Sequence, residues 1–276
     1  MALLFRYPGF KTKAVTLSYD DGVFQDRKLI EIMSKYGIKG TFNINSGCFA
    51  KNPGERRLTS AEAYDLYYSS GNEVAVHGVQ HLSLGIVDSA EAVIDVIRDR
   101  EQLEDIFGRV IKGMAYANGS YNDKVVSILE NCGIEYARTT ISTEKTAMPT
   151  DWLRLPATCH HNNPKLMEMA AKFLEPPKSP YFWAKQPQLF YLWGHSYEFD
   201  NNDNWGVIEE FCRFIGGRDE LYYGTNGDIY DNYKAFNSLR ISANGKIVHN
   251  PTAYDVYANH FGTDVLIKAG EVVKLD

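Results

Sequence analysis

The stretch Thr16-Leu17-Ser18-Tyr19-Asp20-Asp21-Gly22 carries the signal that decides the fold of this chain. The apolar run from Ala14 to Leu17 predicts a short buried strand, which two adjacent carboxylates and a glycine follow. Neighbouring side chains of a strand point in opposite directions, so Asp20 and Asp21 can reach one pocket only if the strand ends there. Gly22 permits this turn, because glycine adopts backbone conformations that other residues avoid.

The Asp-Asp pair is open to two interpretations. Asp-Gly after a strand is also common in surface hairpins. However, two neighbouring carboxylates repel each other unless a cation lies beside them, and His77 and His81 occur downstream. One Asp and two His residues suit zinc or a similar divalent metal with open positions for water and substrate. We therefore predict a metal site, in which one of the two Asp residues binds the ion and the other is free to act as a base.

The composition excludes several classes of function. Of the 276 residues, 44% are hydrophobic and 23% are charged, as in an ordinary globular protein. A net charge of -6 leaves no basic stripe to neutralise phosphates, so we expect no nucleic-acid partner. No run of eighteen apolar residues is present, and the N-terminus is too quickly polar for a signal peptide. These features predict a cytoplasmic protein with no membrane partner.

The cysteines indicate no disulfide framework and no zinc knuckle. They are widely spaced and form no Cys-x-x-Cys motif, so we expect them to be reduced and mostly buried. They are Cys48, Cys132, Cys159 and Cys212.

Strand-like runs alternate with helical patterns along most of the chain, which favours an α/β barrel of seven parallel strands. The strands are expected over 14–17, 40–45, 73–76, 111–116, 136–139, 189–193 and 221–223. The helices are expected over 24–36, 59–71, 88–107, 122–133, 164–174, 205–215 and 229–236. The segment 140–163 shows no period and is predicted to be a long functional loop.

The polar residues of interest lie directly after predicted strands. Asp20, Asp21, His77, Asn118 and His195 all occupy such positions. Barrel enzymes place their chemistry at the carboxyl ends of their strands, so the positions of these residues predict one shared site.

The C-terminal residues break the alternation of strands and helices. Two strand-like runs, 239–242 and 246–248, flank Asn244-Gly245, which is a strong hairpin signal. Further strands are expected over 254–257 and 265–267. We predict a barrel domain over residues 1–238 and a small C-terminal β extension over 239–276 that packs on the barrel.

His77-Gly78-Val79-Gln80-His81 places two histidines four residues apart, a spacing that puts both on one face of a helical turn. Together with Ser18-Tyr19-Asp20-Asp21-Gly22, this stretch resembles the motifs of the polysaccharide deacetylase family, the NodB homology domain of carbohydrate esterase family 4. The resemblance covers roughly residues 10–235. It implies a distorted (β/α)7 barrel of the NodB type, related to the TIM barrel.

The resemblance also implies roles for five residues. Asp21, His77 and His81 would bind one divalent metal, with zinc as the first choice and cobalt, nickel or manganese as alternatives. Asp20 would be the catalytic base. His195, in Leu192-Trp193-Gly194-His195, is similar to the family's last motif, whose histidine is the general acid.

These roles imply a hydrolase that removes N- or O-linked acetyl groups from an acetylated carbohydrate. Metal-bound water would attack the acyl carbonyl, Asp20 would take the proton and His195 would protonate the leaving group. Two alternatives are a hydrolase of the same fold acting on a small non-sugar amide, and an inactive relative that binds glycans. The presence of both carboxylates and all three histidines favours an active enzyme over the inactive relative.

The chain departs from the family pattern in two places. The family's third motif often carries Arg and Pro before an aromatic residue and Gly, and Met114–Gly119 lacks both. The backbone N–H of Asn118 is then the expected oxyanion donor, and either Arg138 or Arg154 would replace the missing arginine beside the catalytic Asp. Gly78 stands where the family has Ser or Thr.

Several further residues are weaker candidates for the site. Asp151-Trp152 resembles the family's fourth motif. Of the adjacent His160 and His161, we expect one to line the pocket, with His160 as the one touching substrate, and the other to be solvated or structural.

Aromatic and acidic residues near these motifs are open to two readings each. The rings of Tyr116, Trp152 and Trp193 would either stack on a sugar or pack in the core. Glu198 or Asp200 would either orient the His195 imidazole or cap the following helix.

Overall fold

The computed structural model describes residues 3–177, 179, 181 and 185–275. The strands are β1 Leu3–Arg6, β2 Lys13–Asp20, β3 Gly40–Ile44, β4 Glu73–Val76, β5 Gly113–Ala115, β6 Tyr136–Ser142, β7 Leu155–Ala157, β8 Cys159–His160, β9 Gln188–Gly194, β10 Leu221–Tyr223, β11 Arg240–Ile241, β12 Ile247–His249, β13 Val256–His260, β14 Thr263–Ile267 and β15 Val272–Lys274. The α-helices are α1 Asp26–Lys35, α2 Ser60–Ala63, α3 Ser89–Phe107, α4 Asp123–Asn131, α5 Leu166–Leu174, α6 Tyr197–Asn201, α7 Trp205–Ile215 and α8 Asn226–Asn237.

Strand β2 is the central member of a parallel sheet with the order β7-β6-β5-β4-β3-β2-β9-β8. Along one edge, β2 pairs with β9 over most of its length. Along its other edge, the first residues of β2 pair with β10 and its last residues pair with β3. The helices between the strands complete the predicted distorted (β/α) barrel. The barrel sheet has nine strands in the described residues, against the seven predicted.

Strand β2 extends three residues beyond the predicted run because its polar side chains find partners inside the barrel. The Asn43 side-chain amide donates to Ser18 Oγ at 2.9 Å and to Asp20 Oδ1 at 2.8 Å. A buried polar group that has hydrogen-bond partners can remain in a strand interior. The core positions of β2 are apolar as predicted, with Val15 and Leu17 fully buried.

Local helix signals in the sequence are borne out. The stretch Thr59-Ser60-Ala61-Glu62 is typical of a capping box, and Thr59 and Glu62 form this box at the start of α2. The helix then continues as a π-helical turn over Tyr64–Tyr68. Gly108 ends α3 in the left-handed conformation, with φ at 63°. Strands β4 and β10 and helix α7 have the predicted bounds.

The prediction of one long loop over 140–163 is wrong. This segment contains the end of β6 and two short strands, since β7 pairs with β6 and β8 pairs with β9. These strands have three and two residues, too few for a sequence period, and their backbone pairing depends on neighbours distant in the chain. Helix α6, which follows His195, was also not predicted.

The C-terminal residues form antiparallel strands, as predicted. One sheet has the order β11-β12-β15 and another has the order β1-β13-β14. Strand β1 comes from the N-terminus, so Leu3–Arg6 pair with residues 257–260. The domain boundary between residues 238 and 239 stays a prediction.

Two further expectations concern the cysteines and membrane spans. All four cysteines are free, and three of them are buried. Among the described residues, no helix combines the length and the apolar character that crossing a membrane requires.

The start of helix α8 closes the barrel at the amino ends of its strands. Buried Asn226 accepts a hydrogen bond from Thr16 Oγ1 at 2.9 Å and donates to the Tyr191 hydroxyl at 2.6 Å. Its backbone N–H donates to Thr41 Oγ1 at 2.8 Å. The next residue donates its N–H to the partly buried Glu73 carboxylate at the start of β4. This network joins α8 to β2, β3, β4 and β9.

The Asn226→Ala variant is expected to lower the free energy of unfolding by about 2–4 kcal/mol, because Thr16 and Tyr191 lose buried partners. Urea denaturation measures this change. The matched control is Asn237→Ala on the same helix, whose side chain is exposed and whose loss is expected to change the free energy of unfolding by less than about 0.5 kcal/mol. Equal stability of the two variants would contradict the closing role of Asn226.

Candidate active site

The carboxyl ends of β2, β4 and β9 bring together residues that are distant in the sequence. Asp20 is the last residue of β2, His77 follows β4, and His195 follows β9. The chain turns after Asp20 as the sequence predicts, since Asp21 has φ at 87° and Gly22 has φ at 63°. The Asp21 N–H donates to the Asn43 carbonyl at 2.9 Å, which ties this unusual backbone to β3.

Asp21, His77 and His81 converge on one point. Asp21 Oδ1 lies 4.0 Å from His77 Nε2 and 3.7 Å from His81 Nε2. This oxygen is buried and has no hydrogen-bond partner among the described residues. The three ligand atoms all lie within 4.8 Å of one another, so these side chains could hold a metal ion.

The environment of His77 keeps its Nε2 available as a ligand. His77 Nδ1 donates to the Ala115 carbonyl at 2.8 Å, which leaves the lone pair on Nε2 directed at Asp21. Burial lowers the pKa of His77 and therefore favours the neutral imidazole, which is the form that binds metals.

His77 and His81 converge through a left-handed turn rather than through the helical turn that their spacing suggested. Gly78 has φ at 82° and His81 has φ at 58°. A Cβ atom on Gly78 would lie 2.2 Å from Asp95 Oδ2. Asp95 Oδ1 accepts the Gln80 N–H at 2.8 Å. The Asp95 carboxylate thus stabilises the turn and occupies the space that a Ser or Thr side chain at position 78 would need.

Arg138, rather than Arg154, lies beside the Asp20 carboxylate. Arg138 Nη2 donates to both oxygens of Asp20, and its side chain is fully buried. Trp193 covers the guanidinium with its ring centroid 4.5 Å from Cζ. Arg154 instead pairs with Asp151 at 2.8 Å, outside this site.

The charges around Asp20 keep it ionised. Burial raises the pKa of this carboxyl, but the Arg138 guanidinium and the His77 and His195 imidazoles outweigh burial and lower the pKa to about 2. His195 Nε2 lies 3.8 Å from Asp20 Oδ2. Asp20 is therefore an anion with a histidine on each side.

Glu198, rather than Asp200, orients His195. His195 Nδ1 lies 3.2 Å from Glu198 Oε1, whereas Asp200 accepts hydrogen bonds from Gln25 and Trp205. Burial lowers the pKa of His195, but Glu198 and Asp20 outweigh burial, and the net effect raises this pKa. The geometry thus favours a protonated His195.

Glu198 also lies beside both histidines of the adjacent pair. Its Oε2 atom is 3.2 Å from His160 Nε2 and 2.9 Å from His161 Nε2. His161 is buried against the Phe199 ring, while His160 is partly exposed and faces the Trp193 ring. His160, His161 and Glu198 could also surround a cation, and neither ring nitrogen of His161 has a hydrogen-bond partner among the described residues.

Other predicted residues lie in packing or surface positions. Tyr116 is buried, and its hydroxyl donates to the Leu153 carbonyl at 2.7 Å. Trp152 packs against Tyr230, with ring centroids 5.2 Å apart. Asp151 caps the 3-10 helix Trp152–Arg154 instead of facing the pocket. These contacts favour packing roles over direct contact with a sugar.

Asn118 lies in a short turn directly after β5. Its φ is 56°, and its side-chain amide donates to Ser83 Oγ at 3.0 Å. The same strand end supplies the Ala115 carbonyl that binds His77, so Asn118 belongs to the same rim of the barrel.

Sequence reasoning missed four residues that support this site. Asp99 accepts the His77 N–H at 2.9 Å, and Arg57 Nη2 lies 3.5 Å from Asp21 Oδ1. The other two are Asn43 and Asp95, described above. Asp95 and Asp99 are four residues apart and both face inward from α3, so acidic residues on the apolar face of a predicted helix were a usable signal.

Comparison with known proteins supports the same assignment. Residues 8–137 match the sequence model of the family described as polysaccharide deacetylase. No match was found among curated proteins.

Three solved structures have a similar fold. A candidate polysaccharide deacetylase from Mycobacterium smegmatis is 16% identical, with a TM-score of 0.58 over 86% of this chain and 95% of that chain. A family 4 carbohydrate esterase from Streptomyces lividans in complex with acetate is 14% identical, with a TM-score of 0.51 over 78% of this chain and 93% of that chain. A CE4 family pseudoenzyme from Bacillus anthracis is 15% identical, with a TM-score of 0.51 over 80% of this chain and 66% of that chain.

These identities are low, so the three structures establish the fold alone. The chain also spans only 44% of the length of a polysaccharide deacetylase from Bacillus cereus. The family assignment rests on the matched segment and on the motifs it contains. Residues 8–137 of this chain, a little under half of its length, are similar to the polysaccharide deacetylase family, and the solved structures share its fold.

Proposed function

We propose that this chain is a metal-dependent hydrolase that removes N- or O-linked acetyl groups from a carbohydrate. The observation that carries the proposal is the convergence of Asp21, His77 and His81 beside an ionised Asp20 and beside His195. A pseudoenzyme with the same fold shows that the barrel alone does not imply catalysis. This chain retains both carboxylates and all three histidines in one pocket, which supports the active alternative.

The proposed ligand set fits a divalent metal such as zinc. One carboxylate oxygen without a hydrogen-bond partner faces two imidazole nitrogens, and this donor set leaves positions open for other ligands. When bound there, the metal would polarise an acyl carbonyl and lower the pKa of a water molecule.

The protein side chains would handle the protons. Asp20, held ionised by Arg138, would accept a proton from the attacking water. Its low pKa makes it a weak base, so its role depends on a water that has already been acidified. His195, protonated through Glu198, would donate a proton to the leaving amine or alkoxide. The N–H of Asn118 is proposed to bind the developing oxyanion.

Acetate release from a panel of acetylated sugars and acetylated xylan tests the proposed activity. The wild type is expected to release acetate, and Asp20→Asn is expected to lose about 10²–10⁴-fold in rate because the proton acceptor is removed. Metal content, measured on the same samples, is expected to be unchanged in this variant. Substrate binding without acetate release by a metal-loaded wild type would favour the glycan-binding alternative.

The His81→Gln variant is expected to weaken metal binding by at least about 100-fold, because a ligand to the ion is lost. Metal analysis of dialysed protein measures this change against about one metal per wild-type chain. His249→Gln is the matched control, since His249 lies in β12 and belongs to neither group of candidate ligands, and this variant should retain its metal. Full metal content in His81→Gln would refute the assigned ligands.

The Arg138→Leu variant is expected to lower the free energy of unfolding by about 3–5 kcal/mol, because it leaves the buried Asp20 carboxylate without its cation. Urea denaturation measures this loss. Arg154→Leu removes a guanidinium of the same size from two surface pairs, with Asp123 and Asp151, and its unfolding curve is expected to coincide with that of the wild type. Comparable losses of unfolding free energy in both variants would show that the buried Asp20–Arg138 pair stabilises the fold no more than a surface pair does.

The pH profile of the deacetylase is expected to fall on the alkaline side as His195 loses its proton. Because Glu198 raises the pKa of His195, Glu198→Gln is expected to lower that pKa and to move the alkaline limb of kcat to lower pH. Asp200→Asn is the control, since Asp200 has other partners and should leave the limb in place. If the alkaline limb of the kcat profile stayed at the same pH in Glu198→Gln, His195 would not be a general acid whose pKa Glu198 raises.

A further inference from the structure

The segment 56–58 is held against the loop that follows the two aspartates. The Phe24 N–H donates to the Arg56 carbonyl at 3.1 Å, and the Leu58 N–H donates to the Gly22 carbonyl at 3.3 Å. These backbone bonds place Arg56 on the rim of the pocket, in a position that the fold determines.

The adjacent arginines Arg56 and Arg57 have different environments. Arg57 turns inward, donates to the Asp21 carbonyl and lies 3.4 Å from Asn45 Oδ1. Arg56 is exposed, and its guanidinium lies over the Tyr197 ring at 5.2 Å. Among the residues that the structure describes, no carboxylate lies within 4.0 Å of the Arg56 guanidinium. Its positive charge is therefore available to a ligand.

Tyr197 links this guanidinium to the proposed general acid. The Tyr197 and His195 rings have centroids 5.2 Å apart, with an interplanar angle of 37°. The order from the pocket outward is thus His195, Tyr197 and Arg56. The Arg56 guanidinium is therefore one aromatic ring away from the proposed general acid.

We propose that Arg56 binds an anionic group, a carboxylate or a phosphate, on a sugar unit adjacent to the acetylated one, so that the site selects acidic carbohydrates. This inference rests on the proposed function. A guanidinium has a planar donor geometry that matches both kinds of anion. Because Arg56 covers one face of Tyr197, that face is not free to stack on a neutral sugar.

The overall charge of the protein opposes the approach of an acidic substrate. The chain has a net charge of -6, so its general field repels a polyanion. The cation at the rim would offset this repulsion where the substrate enters.

The test compares two matched substrates, an acetylated oligosaccharide containing glucuronic acid and the same compound with its carboxyl group reduced to an alcohol. A third substrate carries a phosphate ester in place of the carboxylate. Arg56→Gln is expected to raise KM for the anionic substrate about 10-fold, with kcat and the neutral substrate unaffected. Added salt should reduce the preference of the wild type. Preference for the carboxylate or for the phosphate identifies which anion the site accepts.

The matched control is Arg27→Gln, which makes the same charge change at an arginine already paired with Glu62 at 2.9 Å. Equal KM values for anionic and neutral substrates in the wild type, or equal effects of the two variants, would overturn the proposal.

Direct binding separates this proposal from the proposed function. Calorimetry with a glucuronic-acid oligosaccharide that lacks acetyl groups needs no turnover. Weaker binding to Arg56→Gln than to Arg27→Gln would support the anion site even if no substrate released acetate. Equal binding to both variants would reject the anion site whether or not the enzyme is a deacetylase.

Discussion

The buried ion pair between Asp20 and Arg138 is the interaction on which the site depends. A carboxylate at the end of a central strand is costly to bury unless a cation with good geometry compensates it. Arg138 comes from β6, four strands away from β2 in the sheet order, so the pair exists only when the barrel has curved. Trp193 covers the guanidinium, and both members of the pair are buried. The Asp20–Arg138 ion pair therefore has two effects: it links β2 to β6 across the barrel, and it keeps the proposed base ionised.

Charge compensation organises the rest of the pocket. Burial raises the pKa of Glu198, but the three imidazoles around it, from His160, His161 and His195, outweigh burial and lower this pKa. Asp21 differs, because its buried Oδ1 atom has no hydrogen-bond partner among the described residues and the nearest guanidinium, that of Arg57, lies 3.5 Å away. The pocket thus contains one carboxylate neutralised by arginine, one neutralised by histidines, and one whose oxygen faces the gap between two imidazoles. This difference in charge compensation distinguishes Asp21, the proposed metal ligand, from Asp20 and Glu198.

Short sequence signals correctly predicted those features that depend on interactions between residues close together in the chain. The capping box at Thr59, the glycine at 108 and the strand ends that carry Asp20, His77 and His195 were all apparent from short stretches. The failures have a common cause, since β7 and β8 acquire their structure by pairing with strands distant in the chain. The turn at Gly78 was likewise assigned to a helix, because nothing local shows that Asp95 from α3 occupies the space beside it.

The sequence by itself indicated the resemblance to a family and the type of barrel, and it supplied the five residues proposed for the chemistry, because motifs at strand ends depend on spacing along the chain. Tertiary structure alone decided which arginine accompanies Asp20, which acid orients His195 and which histidine of the adjacent pair is buried. Each of these choices is a matter of distance and burial between segments far apart in the chain. Electrostatic energy depends on the distance between charged groups and on their burial, and neither can be read from the separation of the residues in the sequence.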